Sequence, residues 1–249
     1  MLTQNKMFAA NLILVFIVAH ATAEIPSYIN VCGRKNPNLD ECILKNIENL
    51  KNKICEGMPE LSVPPTEPLA LSKINVINSD TAKISLDNVY LRGICNFEVQ
   101  SFHMDLEKRH FDVDLIFRQI KMNMTYNFNV NIIVPVAIKG PISITTDNVS
   151  AKSGVDLNVA TKGNKQFVYL SNIKLDLGIK RYDANVSSFD DAQMATMREI
   201  GQHFLGNNQQ ELLAVLKPIL EDVISKQILN FSNKIVRHFT YDELFPDRT

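Results

Sequence analysis

The feature that most constrains this chain lies near its C-terminus, between Phe189 and Phe239. Apolar residues recur there in steps of three and four: Met197, Ile200, Phe204, Leu212, Leu216, Ile219, Val223, Ile228, Phe231, Ile235 and Phe239. That spacing places a stripe on one face of an α-helix. A second row (Leu205, Leu213, Leu220, Ile224, Leu229, Val236) widens the face beyond what one neighbouring helix can cover. Ser188 or Asp190 suits the start, and Arg237 and His238 suit the negative end of the dipole. Some fifty helical residues would span roughly 70 Å. A compact globule made from the whole chain would be only about 45 Å across. So either the helix breaks or the molecule is long. Gly206-Asn207-Asn208 and Pro218 are the weak points. The expectation is a kinked, nearly continuous helical run in an elongated molecule, with a two-helix hairpin turning at Gly206 as the alternative.

Upstream, a shorter helix is expected over Leu39–Cys55. Asn38 and Glu41 have capping-box spacing, and Gly57 suits the C-cap. Four prolines between Pro59 and Pro68 then make an extended connector. From about Leu71 the apolar period falls from 3.6 to 2. Phe111, Val113, Leu115 and Phe117 alternate with Asp112, Asp114, Ile116 and Arg118. Met124, Tyr126, Phe128, Val130, Ile132 and Val134 then alternate mostly with asparagines. This reads as one long strand, or a pair, with a wet face and a dry face. Turns are expected at Glu107-Lys108-Arg109 and at Lys162-Gly163-Asn164-Lys165. A short helix, many antiparallel strands and a long helix make an α+β fold. Only the C-terminal helix is large enough to cover the dry face, so the sheet should wrap around it.

Residues 1–23 read as a secretory leader: Lys6, an apolar run from Phe8 to Val18, and the small-residue site Ala21-Thr22-Ala23. The remaining residues, 24–249, are expected to form a single exported domain. The leader holds one of the 26 basic residues and none of the 27 acidic ones, so the rest carries a net charge of about −2. That balance gives no reason to expect a nucleic-acid partner.

Cys32, Cys42, Cys55 and Cys95 are an even set in an exported chain, which suggests two disulfides. Cys42 and Cys55 stand thirteen residues apart on one expected helix, about 20 Å of rise and beyond bridging distance. Local closure favours Cys32 with Cys42. Cys55 and Cys95 then form a second bridge or remain as buried thiols; we expect them to pair. Sequons stand at Asn123, Asn148, Asn185 and Asn230, candidate glycan sites.

The chain lacks a nucleophile elbow, a phosphate-binding loop and the zinc or redox motifs of known spacing. Asp112 and Asp114 read as solvated charge, and His103, His110, His203 and His238 as surface or rim residues. No catalytic residue, metal or cofactor is expected. The informative feature is the apolar interior. If it lines a lengthwise tunnel, the expected ligand-binding residues are Phe111, Val113, Leu115, Phe117, Tyr126, Phe128, Val130, Met194, Met197 and Phe204. Tyr126 is the one polar handle among them, so the ligand should be neutral and elongated.

Several segments together resemble the takeout/juvenile hormone-binding protein family of insects. They are PSYINVCGRKNPNLDECI with Cys32 and Cys42, MPELSVPPTEPL, GICNFEV, FDVDLIF, LKP in the long helix, and the terminal FTYDELFP. The resemblance covers essentially all of the chain after the leader. It implies a tubular lipid-binding super-roll, a curved antiparallel sheet around a long C-terminal helix. It also implies an extracellular carrier of small hydrophobic ligands, with terpenoid, juvenile-hormone-like or fatty molecules as candidates; the chain is expected to be a monomer. The family pattern assures the Cys32–Cys42 bridge, and Cys55 and Cys95 depart from it. An interaction module with a packed interior, binding a lipid surface or a receptor, is the alternative function.

Overall fold

The computed structural model describes residues 25–131, 135–186, 194–196, 198–200, 202 and 208–249. The expected leader, Ser188, Asp190, Met197, Phe204 and the weak point's Gly206 and Asn207 lie outside the described residues. Helix α1 spans Leu39–Glu56. The strands are β1 (Leu69–Leu71), β2 (Ile74–Asn78), β3 (Ala82–Arg92), β4 (Phe97–Asp105), β5 (His110–Asn131), β6 (Pro135–Lys162), β7 (Lys165–Gly178) and β8 (Asp183–Asn185). Helix α2 spans Gln209–Val236, and the single-turn α3 spans Tyr241–Leu244.

All strand pairings are antiparallel, in the order β1-β3-β5-β6-β7. The two central strands are the longest, and each has two partners in succession along its outer edge. β5 pairs with β4 over 110–117 and with β3 over 121–130. β6 pairs with β8 over 143–145 and with β7 over 150–162. The 28 residues of β6 would reach roughly 90 Å if straight, whereas the 28 residues of α2 span roughly 42 Å. The sheet curves around the helix, and α2 follows its inner face. Leu212 meets the cluster of Ala82, Ile84, Tyr126 and Phe128; Leu220 and Ile224 meet that of Leu71, Val89, Leu91 and Met124; Leu229 and Val236 meet Val155, Leu170 and Ile173.

The change of inward-facing parity along β5 occurs within one strand. Phe117 and Ile120 are part-buried, while Arg118 and Gln119 between them are both exposed. Opposite them on β6, Asp147 and Asn148 are both exposed between buried Thr146 and Val149. The register is unchanged across the step, Phe117 facing Val149 and Gln119 facing Asp147. Both strands change face together, so no pairing is lost. Asn148 takes a left-handed φ of 52° there.

The long C-terminal helix is present, but the expected near-continuity with the segment before it is not. Asn208 is extended, with φ −149° and ψ 170°, and its side chain accepts the Glu211 N–H at 3.0 Å. That is a true N-cap, so a new helix begins at Gln209; the helical residues 194–196, 198–200 and 202 lie before that break. A second correction concerns α1. Asn38 makes no side-chain cap. Its own N–H is instead accepted by the Asn36 side chain at 2.9 Å, which sets the entry to the helix from the preceding turn. Gly57 ends α1 as expected: its φ is 91°, and its N–H reaches the Lys53 carbonyl. Pro218 sits inside α2, where the ladder lacks one donor.

β7 is the last strand on its side, and α2 satisfies part of its open edge. Asn233 accepts the Leu170 N–H at 2.8 Å and donates to the Leu170 carbonyl at 2.9 Å. Glu221 accepts the Leu177 N–H at 2.7 Å. These bonds fix the helix against the sheet in rotation and along its axis. They also occupy backbone groups that would otherwise invite another strand.

Two disulfides staple α1. Cys32–Cys42 ties the N-terminal segment to its first turns, with a Cα–Cα distance of 6.0 Å. Cys55–Cys95 ties its last turn to the loop after β3, at 5.9 Å. Thiol labelling of the denatured, unreduced protein is expected to find no free cysteine. Two free thiols per chain would disprove the second bridge. Cys32→Ser should lower stability by about 2–5 kcal/mol, read as a shifted urea midpoint.

Three strands meet on the outer face at His110. Its Nδ1 lies 2.7 Å from Asp156 Oδ1 and its Nε2 3.3 Å from Asp112 Oδ1, while Asn172 on β7 donates to Asp156 at 3.0 Å. The hydrogen bond to Asp156 is the main cause that holds the imidazole pKa above its usual value. A raised pKa means that the folded state favours the imidazolium. The cluster therefore contributes most below the unfolded histidine value near 6.5, and its contribution is lost as pH rises through the folded value. We expect His110→Gln to flatten the stability profile between about pH 6 and pH 8. Parallel profiles for variant and wild type over that window would refute this.

Candidate functional site

A cavity of about 280 Å³ lies between the inner face of the sheet and α2. One wall comes from β5 (Phe111, Val113, Leu115, Phe117, Ile120, Met122). The facing strand β6 adds Ile144, Thr146, Val149, Ala151, Ser153 and Val155. Ile173, Leu175 and Leu177 of β7 continue it, and Leu220, Ile224, Ile228 and Ser232 of α2 form the lid. Thr146, Ser153 and Ser232 are the polar side chains in this lining, and no charged one is present.

The space continues in both directions. Toward Tyr126 and Phe128 lies a second cavity of about 170 Å³, sharing Met122, Ile144 and Leu220 with the first. A more open one of about 510 Å³, bounded by Met194, Arg198 and Tyr182, shares the same three residues, Thr146 and Ile179. At the other end a cavity of about 330 Å³ shares Phe111, Leu170 and Ser232. It is bounded by Cys32, Ile43, Leu244 and Phe245, from the disulfide-tied segment, α1 and the C-terminus. The cavities form a row along α2.

Of the ten residues expected to line a tunnel, Phe111, Val113, Leu115 and Phe117 line the central cavity. Tyr126 and Phe128 line the smaller one beside it, and Met194 the open one. Val130 lines none of these cavities; it is 1% exposed and packs in the cluster of Ala82, Ile84 and Tyr126. Tyr126 is itself 2% exposed, and burial pushes its phenol pKa up. Its hydroxyl lies directly over Gly140, the residue paired with it on β6, where an added Cβ would collide with it. The smallest residue opposite the largest ring lets the sheet stay closed at that level. Met197 and Phe204 fall outside the described residues.

Sequence reasoning missed the helix side of the site. Leu220, Ile224, Ile228 and Ser232 follow one another at steps of four, a visible stripe. Nothing in a single sequence says which stripe of a doubly apolar helix faces space and which faces packed side chains. The β6 wall was missed because Ala151, Ser153 and Thr146 are small or polar. Those are the residues that leave room.

A curved antiparallel sheet around an axial helix, with apolar space enclosed between them, defines a tubular super-roll. A family model for haemolymph juvenile hormone binding protein matches residues 12–246. The chain belongs to that family. Among solved structures it is similar to Takeout 1 of Epiphyas postvittana, with a TM-score of 0.66 and 15% identity over 83% of this chain and 96% of that one. At that identity the likeness is one of fold. A looser match, on which no argument rests, is to lipopolysaccharide binding protein (TM-score 0.39, 11% identity, 80% of this chain and 40% of that one). No curated protein matches the sequence.

Proposed function

We propose that this protein is a secreted carrier or scavenger of small, neutral, elongated hydrophobic molecules of terpenoid, juvenile-hormone-like or fatty type. They would lie lengthwise between the sheet and α2. The observation that carries the reading is the central cavity, about 280 Å³ with no charged residue in its lining. Ligand sites usually measure about 300–1,000 Å³, a range that the row of adjoining cavities reaches. A ligand burying about 300 Å² of apolar surface would gain roughly 7 kcal/mol before association costs. Micromolar binding corresponds to about 8 kcal/mol net, so a ligand held that tightly must bury well over that area and fill more than one of the adjoining cavities.

Export rests on the leader-like residues 1–23 and on the two disulfides, which persist in oxidising compartments. No helix among the described residues is long and apolar enough to cross a membrane. Asn123, Asn148, Asn185 and Asn230 are all exposed, as glycan attachment requires. The protein acts by binding and not by catalysis, as its family does.

Native mass spectrometry of gently extracted protein is the test. A co-purifying apolar ligand, displaced by a neutral terpenoid or a long-chain ester, is the expected result. An empty protein that takes up no member of such a panel would overturn the proposal and favour a packed interaction module.

A further inference from the structure

On the outside of the tube, away from the apolar cavities, a groove of about 520 Å³ runs between α1 and the sheet. Four cations line it: Lys51 from α1, Arg92 at the end of β3, and Arg118 and Lys121 from β5. Glu98 is the only carboxylate in that lining, beside the amides of Asn96 and Gln119. The chain as a whole is slightly acidic, so this concentration of positive charge is local.

Two of the four cations are engaged. Arg118 pairs with Glu98 at 2.6 Å. Lys51 lies 4.5 Å from the centre of the Phe97 ring, 3.8 Å from Glu48, and donates to the Phe97 carbonyl. The other two, Arg92 and Lys121, stand directly opposite each other on β3 and β5. Both are exposed, and neither has an ion pair among the described residues. Like charges in directly paired positions oppose strand pairing, so the sheet gains nothing from this arrangement. The floor between them is tight: Gly93, at φ 92°, packs so closely on the Gln119 carbonyl that a Cβ would collide with it. The Gln119 side chain is held by Asp147 at 2.8 Å.

We infer that this groove is a second binding site, for a discrete anion carrying a phosphate or sulfate group, held between Arg92 and Lys121. Charge-assisted hydrogen bonds from a guanidinium and an ammonium suit such a group. The amide of Asn96 lies in the same lining as a further polar partner, whereas that of Gln119 is engaged by Asp147. Glu98 sets the selectivity, since it repels a second anion and competes for Arg118. A flat bilayer cannot enter a concave groove between a helix and a sheet, so the occupant is a free molecule and not a membrane surface.

The test is calorimetric titration at low ionic strength with two probes, inorganic phosphate and a sulfated heparin disaccharide. Wild type is expected to bind at least one of them saturably, one per chain, and added salt should weaken binding. The Arg92→Ser/Lys121→Ser double variant should lose about tenfold or more in affinity, and Glu98→Gln should gain. Each single variant should fall between, which keeps the test sound if the double variant folds poorly. Terpenoid uptake should be the same in all of them, so failure here is separable from failure of the cavity. No saturable binding of either probe would overturn the proposal. So would equal affinity in wild type and the double variant, or attachment only to anionic phospholipid vesicles.

Discussion

Ile224→Glu is expected to abolish hydrophobic-ligand uptake while leaving the helix and sheet in place. Ile224 projects from α2 into the central cavity and touches the cluster of Leu71, Val89, Leu91 and Met124. Glutamate is at least as good a helix former as isoleucine, so α2 itself should survive. In the empty protein the new carboxylate can draw water into the cavity or take up a proton. A neutral apolar ligand would have to displace that water and leave the charge unpaired. We expect affinity to fall by about a hundredfold or more, roughly 3 kcal/mol. Titration of a neutral terpenoid and a long-chain ester against wild type, Ile224→Glu and Ile224→Leu measures it, with circular dichroism as the fold control. The leucine variant should bind. Wild-type affinity should change little with added salt, because the cavity lining holds no ion-pairing group. Equal uptake by the glutamate variant and wild type would place the ligand elsewhere. Phe128→Asp should behave differently. Phe128 is 5% exposed and packs among Ala82, Ile84, Tyr126 and Val130, so a charge there should unfold the protein before binding can be read.

Phe239→Ala should be among the most damaging truncations in the chain. Phe239 is 0% exposed and anchors a cluster with Met58, Leu61 and Val63. It follows the last turn of α2, next to the bridge between Phe167 and Thr240. The proline-rich connector therefore packs on the end of the C-terminal helix. Removing a buried phenylalanine ring costs about 3–5 kcal/mol. In a chain of this size that lowers the melting temperature by roughly 10 °C. Urea unfolding of the variant measures it; a loss below about 1 kcal/mol would mean that this cluster does not hold the end of the tube.

How much of this was legible beforehand follows from which signals are local. Period is local, so the strands, the turn at Gly163-Asn164 and the long helix could be read. The wrapping of the sheet followed from the width of the apolar face. The parity change in β5 was visible as two patterns, Phe111 to Phe117 and Met124 to Val134. Whether they belong to one strand or two is decided by β6, whose exposed Asp147 and Asn148 lie opposite the step. The break before α2 was marked by Gly206-Asn207-Asn208. Helical periodicity cannot distinguish a kink from a new start, since both leave the stripe in phase. The Asn208 side chain settles it by capping Glu211.

The sequence by itself determined what is written in neighbouring residues: the α+β class, the apolar faces, the reach of Cys32 to Cys42, the wet-face position of Asn123 and the absence of charge from the expected interior. Only the tertiary structure decided what depends on several elements meeting. It seated Val130 in packed core and Phe117 beside open space, although both are large residues on the same dry face. Val130 packs against Ala82, Ile84 and Tyr126, whereas the wall that Phe117 shares includes the small Ala151 and Ser153 of β6. It also brought Lys51, Arg92, Arg118 and Lys121 together from three separate elements in a chain whose net charge gives no hint of a basic groove. Burial and local potential arise from distances in space, and those are set by the curvature of the sheet and not by any stretch of residues alone.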